Sequence, residues 1–166
     1  MGRSEIRITI ARPLAEVFSV YAQREPWKWS SIRNVRWVRG NPWEVGSRLE
    51  MEPENSFGIV VDQVLTHFEG NRRVEYISHF GGITMQSQVL FKPLSERSTE
   101  IECKLEFVGT FARVAGFAVE STIEAGARQF YQELKVECER QPLSQEAASR
   151  ASEASDEVTQ GEEERS

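Results

Sequence analysis

Ile6, Ile8 and Ile10 alternate with Arg7 and Thr9, a period of two that predicts a strand with one buried face. Pro13 ends it, because proline cannot donate to a strand ladder, and the same residue suits the first turn of a helix. Leu14, Val17, Phe18 and Tyr21 then recur at helical spacing, with Glu16 near the positive end of the helix. A second short helix is expected over Pro26–Ile32, carrying Trp27 and Trp29.

From Asn34 the pattern turns to strands separated by turn residues. Val35–Arg39 runs to Gly40-Asn41-Pro42, and Arg48–Glu52 runs to Pro53. Phe57–Glu69 reads as one long strand, bulged at Asp62-Gln63 where the apolar alternation changes phase. Gly70-Asn71 and Gly81-Gly82 each predict a tight hairpin, the second because both central residues of a type I′ turn need positive φ. Ile83–Lys92 follows, then a looser turn through Ser95–Ser98. In the last strand Ile101, Cys103, Leu105 and Phe107 alternate with Glu100, Glu102, Lys104 and Glu106, so one face is apolar and the other is expected to be wet. Consecutive strands with short turns predict an antiparallel meander.

The final element spans Arg113–Glu139. Ala115, Val119, Ile123, Ala127, Phe130 and Leu134 form one apolar stripe. About 25 helical residues cover ~38 Å, enough to cross a whole sheet. Gly116 and Gly126 interrupt it, and close packing of helix on sheet is the expected reason, ahead of room for a ligand or a bend. Beyond Arg140 only Leu143 and Val158 are sizeable hydrophobes, too few to offset the entropy of ordering. Residues 1–140 are therefore expected to form one domain and residues 141–166 a disordered tail.

Charge sharpens this division. The chain carries a net charge of −6, and residues 141–166 hold seven acidic residues against Arg150 and Arg165. The remaining 140 residues are close to neutral, which argues against a nucleic-acid partner. Cys103 and Cys138 do not make a disulfide framework. Met1–Ile6 lacks a signal-peptide core, Ile6 breaks a myristoylation motif at Gly2, and no apolar run reaches membrane-spanning length. A cytoplasmic protein, monomer or homodimer, is expected.

The segments Ile8-Thr9-Ile10-Ala11-Arg12-Pro13-Leu14-Ala15-Glu16-Val17-Phe18 and Trp29-Ser30-Ser31-Ile32-Arg33-Asn34-Val35, within this order of elements, resemble the START-like, or Bet v 1-like, helix-grip superfamily (SRPBCC). The likeness points to its polyketide cyclase/dehydrase and lipid-transport branch, covers about residues 4–138, and includes the Val45-Gly46-Ser47 turn. It implies an α+β fold: a curved antiparallel sheet of about seven strands around a long C-terminal helix, with two short helices after the first strand. It also implies a ligand cavity between sheet and helix. By strand and helix phase its lining would be Trp37, Met51, Tyr76, Phe80, Met85, Ser87, Val89, Cys103, Leu105, Phe107, Val119, Ile123 and Phe130. For any one of them taken singly, plain core is the simpler reading.

Catalytic motifs are sparse. Neither His67 nor His79 has a partner at metal-ligand spacing, so no metal or cofactor is expected. Glu50 and Glu52 fall on a polar face, and His79 beside its turn should meet solvent. Asp62 sits in an apolar run, where burial would disfavour its charged form, although a bulge turning it outward is the simpler account. Ser87, Tyr76 and Tyr131 could offer hydroxyls to a ligand. Among the tryptophans, Trp29 and Trp37 are expected to seal the core, and Trp43 to stand at a cavity rim. The expected function is binding or carriage of a hydrophobic small molecule (lipid, quinone or polyketide-like). Two alternatives stand beside it: a cyclase/aromatase or dehydrase using Asp62, His67, Ser87 and Tyr76, and a protein-interaction module without ligand.

Overall fold

A computed structural model describes residues 2–23, 29–54, 58–108 and 116–142, the side chains of 116–118 excepted. The elements are β1 (Arg3–Ile10), α1 (Leu14–Tyr21), β2 (Ile32–Arg39), β3 (Arg48–Pro53), β4 (Val61–Glu69), β5 (Arg73–Phe80), β6 (Ile83–Ser95), β7 (Ser98–Val108) and α2 (Gly116–Arg140). The strands form one antiparallel sheet in the order β1-β7-β6-β5-β4-β3-β2. Each strand after β2 thus pairs with its predecessor, and the chain's first strand closes the far edge beside β7. Of the expected tail, residues 141–166, all but 141 and 142 lie outside the described residues. No helix among the described residues is long and apolar enough to cross a membrane.

Alternation decides which face each strand buries. Ile6, Ile8 and Ile10 face the core, as do Ile101, Cys103, Leu105 and Phe107 on β7 and Ile83, Met85, Val89 and Phe91 on β6. Pro13 opens α1 with an extended φ/ψ of −57°/148°, and Val17, Phe18, Val20 and Tyr21 bury the helix against the sheet. The Gly81-Gly82 turn has φ of 52° and 79°, as its type requires.

α2 lies alongside β1 with its C-terminal end locked to it. The Ala11 N–H donates to Glu139 Oε1 at 3.0 Å. Arg12 completes the lock: its guanidinium donates to the Glu139 and Gln141 carbonyls at 2.6 and 2.9 Å, filling acceptors that a helix end leaves open. Lys135 Nζ adds a bond to the Thr9 carbonyl at 2.7 Å.

The structure departs from expectation at four places. Among the described residues one short helix follows β1. Of the second, expected over Pro26–Ile32, residues 26–28 lie outside the described set, whereas Trp29–Ser31 form a turn and Ile32 already pairs with Pro53. β4 begins at Val61, with residues 58–60 outside the strand and Phe57 outside the described residues, and its bulge falls between Leu65 and His67, because the ladder through Asp62 and Gln63 is regular on both sides. The β6–β7 connection is tight, since β6 runs on through Pro93, past a register shift, to Ser95. At Gly126 an added Cβ would meet no described atom within 4 Å, so close packing does not explain this glycine.

Candidate functional site

Every one of the thirteen residues expected to line a cavity faces the interior, but they divide into two groups. Tyr76, Met85, Ser87, Val89, Cys103, Leu105 and Phe107 are buried. Trp37, Met51, Phe80, Val119, Ile123 and Phe130 are partly buried against the same core. The second group lies on β2, β3, the end of β5 and α2 as far as Phe130. The apolar stripe of α2 changes along its length in the same sense: Tyr131, Leu134 and Cys138 are buried, whereas Val119, Ile123, Ala127 and Phe130 are only half-buried. The interior is sealed where β1, α1 and the C-terminal half of α2 meet, and less fully covered toward the other end of the helix.

Polar atoms sit inside this apolar shell. Tyr21 Oη and Tyr76 Oη are 3.0 Å apart and buried. Either hydroxyl can donate to the other, and burial lifts both phenols above the ordinary value. Burial also raises the Tyr131 phenol. The Cys103 thiol is pushed up to about 11, burial outweighing the opposing influence of Tyr131. Ser87 faces Tyr76 across the β5–β6 ladder, and Gln63 Nε2 donates to the fully buried Ser78 Oγ at 3.1 Å. These groups are neutral donors and acceptors. They can orient a polar atom of a ligand.

An aromatic cluster flanks them. Trp43 packs against Tyr21, Trp37 and Phe68 with ring centroids 5.7, 5.4 and 5.7 Å away, and its indole N–H donates to the Gln23 carbonyl at 2.8 Å. Its backbone φ is 65°, a conformation rarely adopted by a bulky residue, and the strain is held by this packing. Trp43 is therefore half-buried in the core cluster and not a free rim. Trp29 lies on Phe130 at 4.7 Å. Trp27 is outside the described residues.

Other candidates face away. Asp62 pairs across the ladder with Glu50 and His79 on the outer face, where Arg48 holds it in a bidentate ion pair at 2.5 Å. Regular alternation, not a bulge, turns it outward. The bulge instead places His67 outward beside Glu75, with Nε2 3.8 Å from Glu69. His79 is exposed and contacts Thr84 at 3.2 Å. One outward residue is not wet: Glu102 is 2 % exposed, covered by Lys92 and Lys104, and hydrogen bonds from Lys104 and then Lys92 lower its carboxyl to about 2. A cleft of about 300 Å³ opens on this side of the sheet, lined by Thr66, Glu75, Tyr76, Ile77, Gln86, Ser87, Gln88, Lys104 and Glu106. No group of three or more His, Cys, Asp or Glu side chains gathers as a metal site among the described residues.

Sequence reasoning missed Tyr21, Gln63 and Ser78. Tyr21 was legible only as one more apolar position on α1. Gln63 and Ser78 share the inner phase of their strands, a signal that the misplaced bulge concealed.

No protein-family model matches the chain, and no curated protein matches it in sequence. Solved structures do. Truncated norcoclaurine synthase from Thalictrum flavum superposes with a TM-score of 0.67 at 11% identity, over 85% of this chain and 95% of that one. The Zhui aromatase/cyclase from Streptomyces sp. R1128 gives 0.66 at 15% identity, over 84% and 94%. A START superfamily protein from Mycobacterium smegmatis gives 0.57 at 14% identity, over 80% and 98%. At these identities the likeness is one of fold: the chain has the START-like, Bet v 1-like helix-grip fold.

Proposed function

We propose that this helix-grip protein binds or carries a hydrophobic small molecule (a lipid, quinone or polyketide-like compound) between the sheet and α2. The observation that carries the reading is the split in the interior. Trp37, Met51, Phe80, Val119, Ile123 and Phe130 stay half-buried against a core that also encloses the hydroxyls of Tyr21 and Tyr76, the mixture that ligand sites use. The likeness to a START superfamily protein and to an aromatase/cyclase is consistent with it. A cyclase/aromatase or dehydrase reading has less support, since Asp62 and His67 face outward and leave Tyr76 and Ser87 as its interior groups. We further infer one domain over residues 1–140 with an acidic tail, acting in a reducing compartment; the free, buried Cys103 and Cys138 support that setting. Native mass spectrometry beside a denatured control tests the main reading. A bound apolar molecule that is lost on denaturation, or an apolar ligand that raises the melting temperature, is the expected result. A clean apo mass with no ligand-induced shift across sterols, quinones, fatty acids and polycyclic aromatics would overturn it.

A further inference from the structure

The buried side chains on the sheet face turned toward α2 are all uncharged, and so are those that α1 and α2 bury against it. The strands keep their charges on the opposite face, where alternation lets neighbours neutralise one another. Arg36 pairs with Glu50 from β2 to β3, Arg48 with Asp62 from β3 to β4, and Arg3 with Glu106 from β1 to β7. Glu102, the one charged side chain buried among the described residues, belongs to this outer face and is held by Lys92 and Lys104. On the helix side Arg12 donates to the Ala11, Glu139 and Gln141 carbonyls, and Glu133 accepts from Ser30 and Ser31. Lys135 donates to Glu139 and to the Thr9 carbonyl.

The titratable groups that do face inward are Tyr21 on α1, Tyr76 on β5, Cys103 on β7, and Tyr131 and Cys138 on α2. Burial raises all five, so each is neutral near pH 7. An ionised head group brought among them would leave water and meet no counter-charge, a cost that is relieved by giving up the charge. The cost of burying a hydroxyl, ester or carbonyl is far smaller.

We propose that the interior takes its ligand uncharged, choosing neutral alcohols, esters, ketones and quinones over carboxylates and ammonium compounds with the same skeleton. This rests on the binding function above and narrows it by charge.

Two matched sets test it on the full chain: dodecanol with dodecanoate and dodecylamine, and pyrenemethanol with pyrenecarboxylate. At pH 8 each alcohol should bind on the order of a hundredfold more tightly than its acid, because only the small protonated fraction of the acid is competent. Lowering the pH from 8 to 6 should tighten both acids by roughly tenfold per unit and leave the alcohols unchanged. Dodecylamine should show the opposite slope. The carboxyl carbon resonance of bound, isotope-labelled dodecanoic acid should titrate well above its ordinary value. Acids that bind as tightly as the alcohols at pH 8, with the bound carboxyl titrating normally, overturn the selection and leave the apolar site standing. Tight dodecanoate binding beside weak dodecylamine binding overturns it as well, since that asymmetry requires a cation at the site. Failure of every compound to bind overturns the binding function itself, and this inference with it.

Discussion

Ser31 donates twice to Glu133 Oε2, from its hydroxyl at 2.6 Å and from its backbone N–H at 3.2 Å, so one carboxylate on α2 holds the turn that leads into β2. Ser30 donates to the other oxygen of Glu133. Burial works to raise the Glu133 carboxyl, and these bonds together bring it below its ordinary value. The clamp also seats Trp29 on Phe130. Ser31→Ala should cost about 1 kcal/mol and lower Tm by about 2–4 °C. In a double-mutant cycle with Glu133→Gln the two losses should be less than additive; strict additivity would show that the contact carries no energy.

Arg12 should be the costliest surface-reaching residue to truncate. Its guanidinium caps the last carbonyls of α2, and the Arg12 carbonyl in turn accepts from the fully buried Thr99 hydroxyl at 2.9 Å. Arg12→Met keeps the aliphatic stem and removes the charged donors, so about 2 kcal/mol of stability should go, read by chemical denaturation. Arg12→Lys should restore only part of it, because one ammonium cannot reproduce the planar fork. A Met variant as stable as wild type would refute the capping role.

At Gly126 the helix carries an exposed glycine with open space at the Cβ position. Gly126→Ala should therefore stabilise by about 1 kcal/mol, from helix propensity alone. A destabilised variant would mean that the glycine serves a bend or a contact absent from the described residues. If ligand affinity falls while stability rises, flexibility in the N-terminal half of α2 belongs to binding.

Glu102 sets an acid limit on stability. Its carboxyl is lowered from 4.5 to about 2 in the folded chain. A depressed folded value means that the contribution is fully present above the unfolded value and disappears as pH falls toward the folded one. Between 4.5 and about 2 the wild type should lose stability that Glu102→Gln has already lost. Denaturation curves for the two should thus converge at the acid end and separate near neutrality. Parallel pH profiles would show that Lys92 and Lys104 do not stabilise the carboxylate.

The order of elements, the antiparallel meander and the inward set could be read from the sequence because each depends on short-range rules. Ile6-Arg7-Ile8 can satisfy its side chains only as a strand with one face buried, and Gly81-Gly82 supplies the positive φ its hairpin needs. The stripe from Val119 to Leu134 suits only a helix lying on something apolar. What failed locally failed where two patterns compete. The change of apolar phase between Val61 and Leu65 marked a bulge, but pairing with both neighbours put it two residues later. Thus the period in the sequence determined the type of each element and the face it buries.

Tertiary structure decided the rest. Glu102 reads as a wet residue, yet lysines from two neighbouring strands close over it. Tyr21 reads as ordinary helix core, yet its hydroxyl meets that of Tyr76, fifty-five positions away, at 3.0 Å. Periodicity specifies the direction of a side chain relative to its own backbone; its partners depend on how separate elements come together in space.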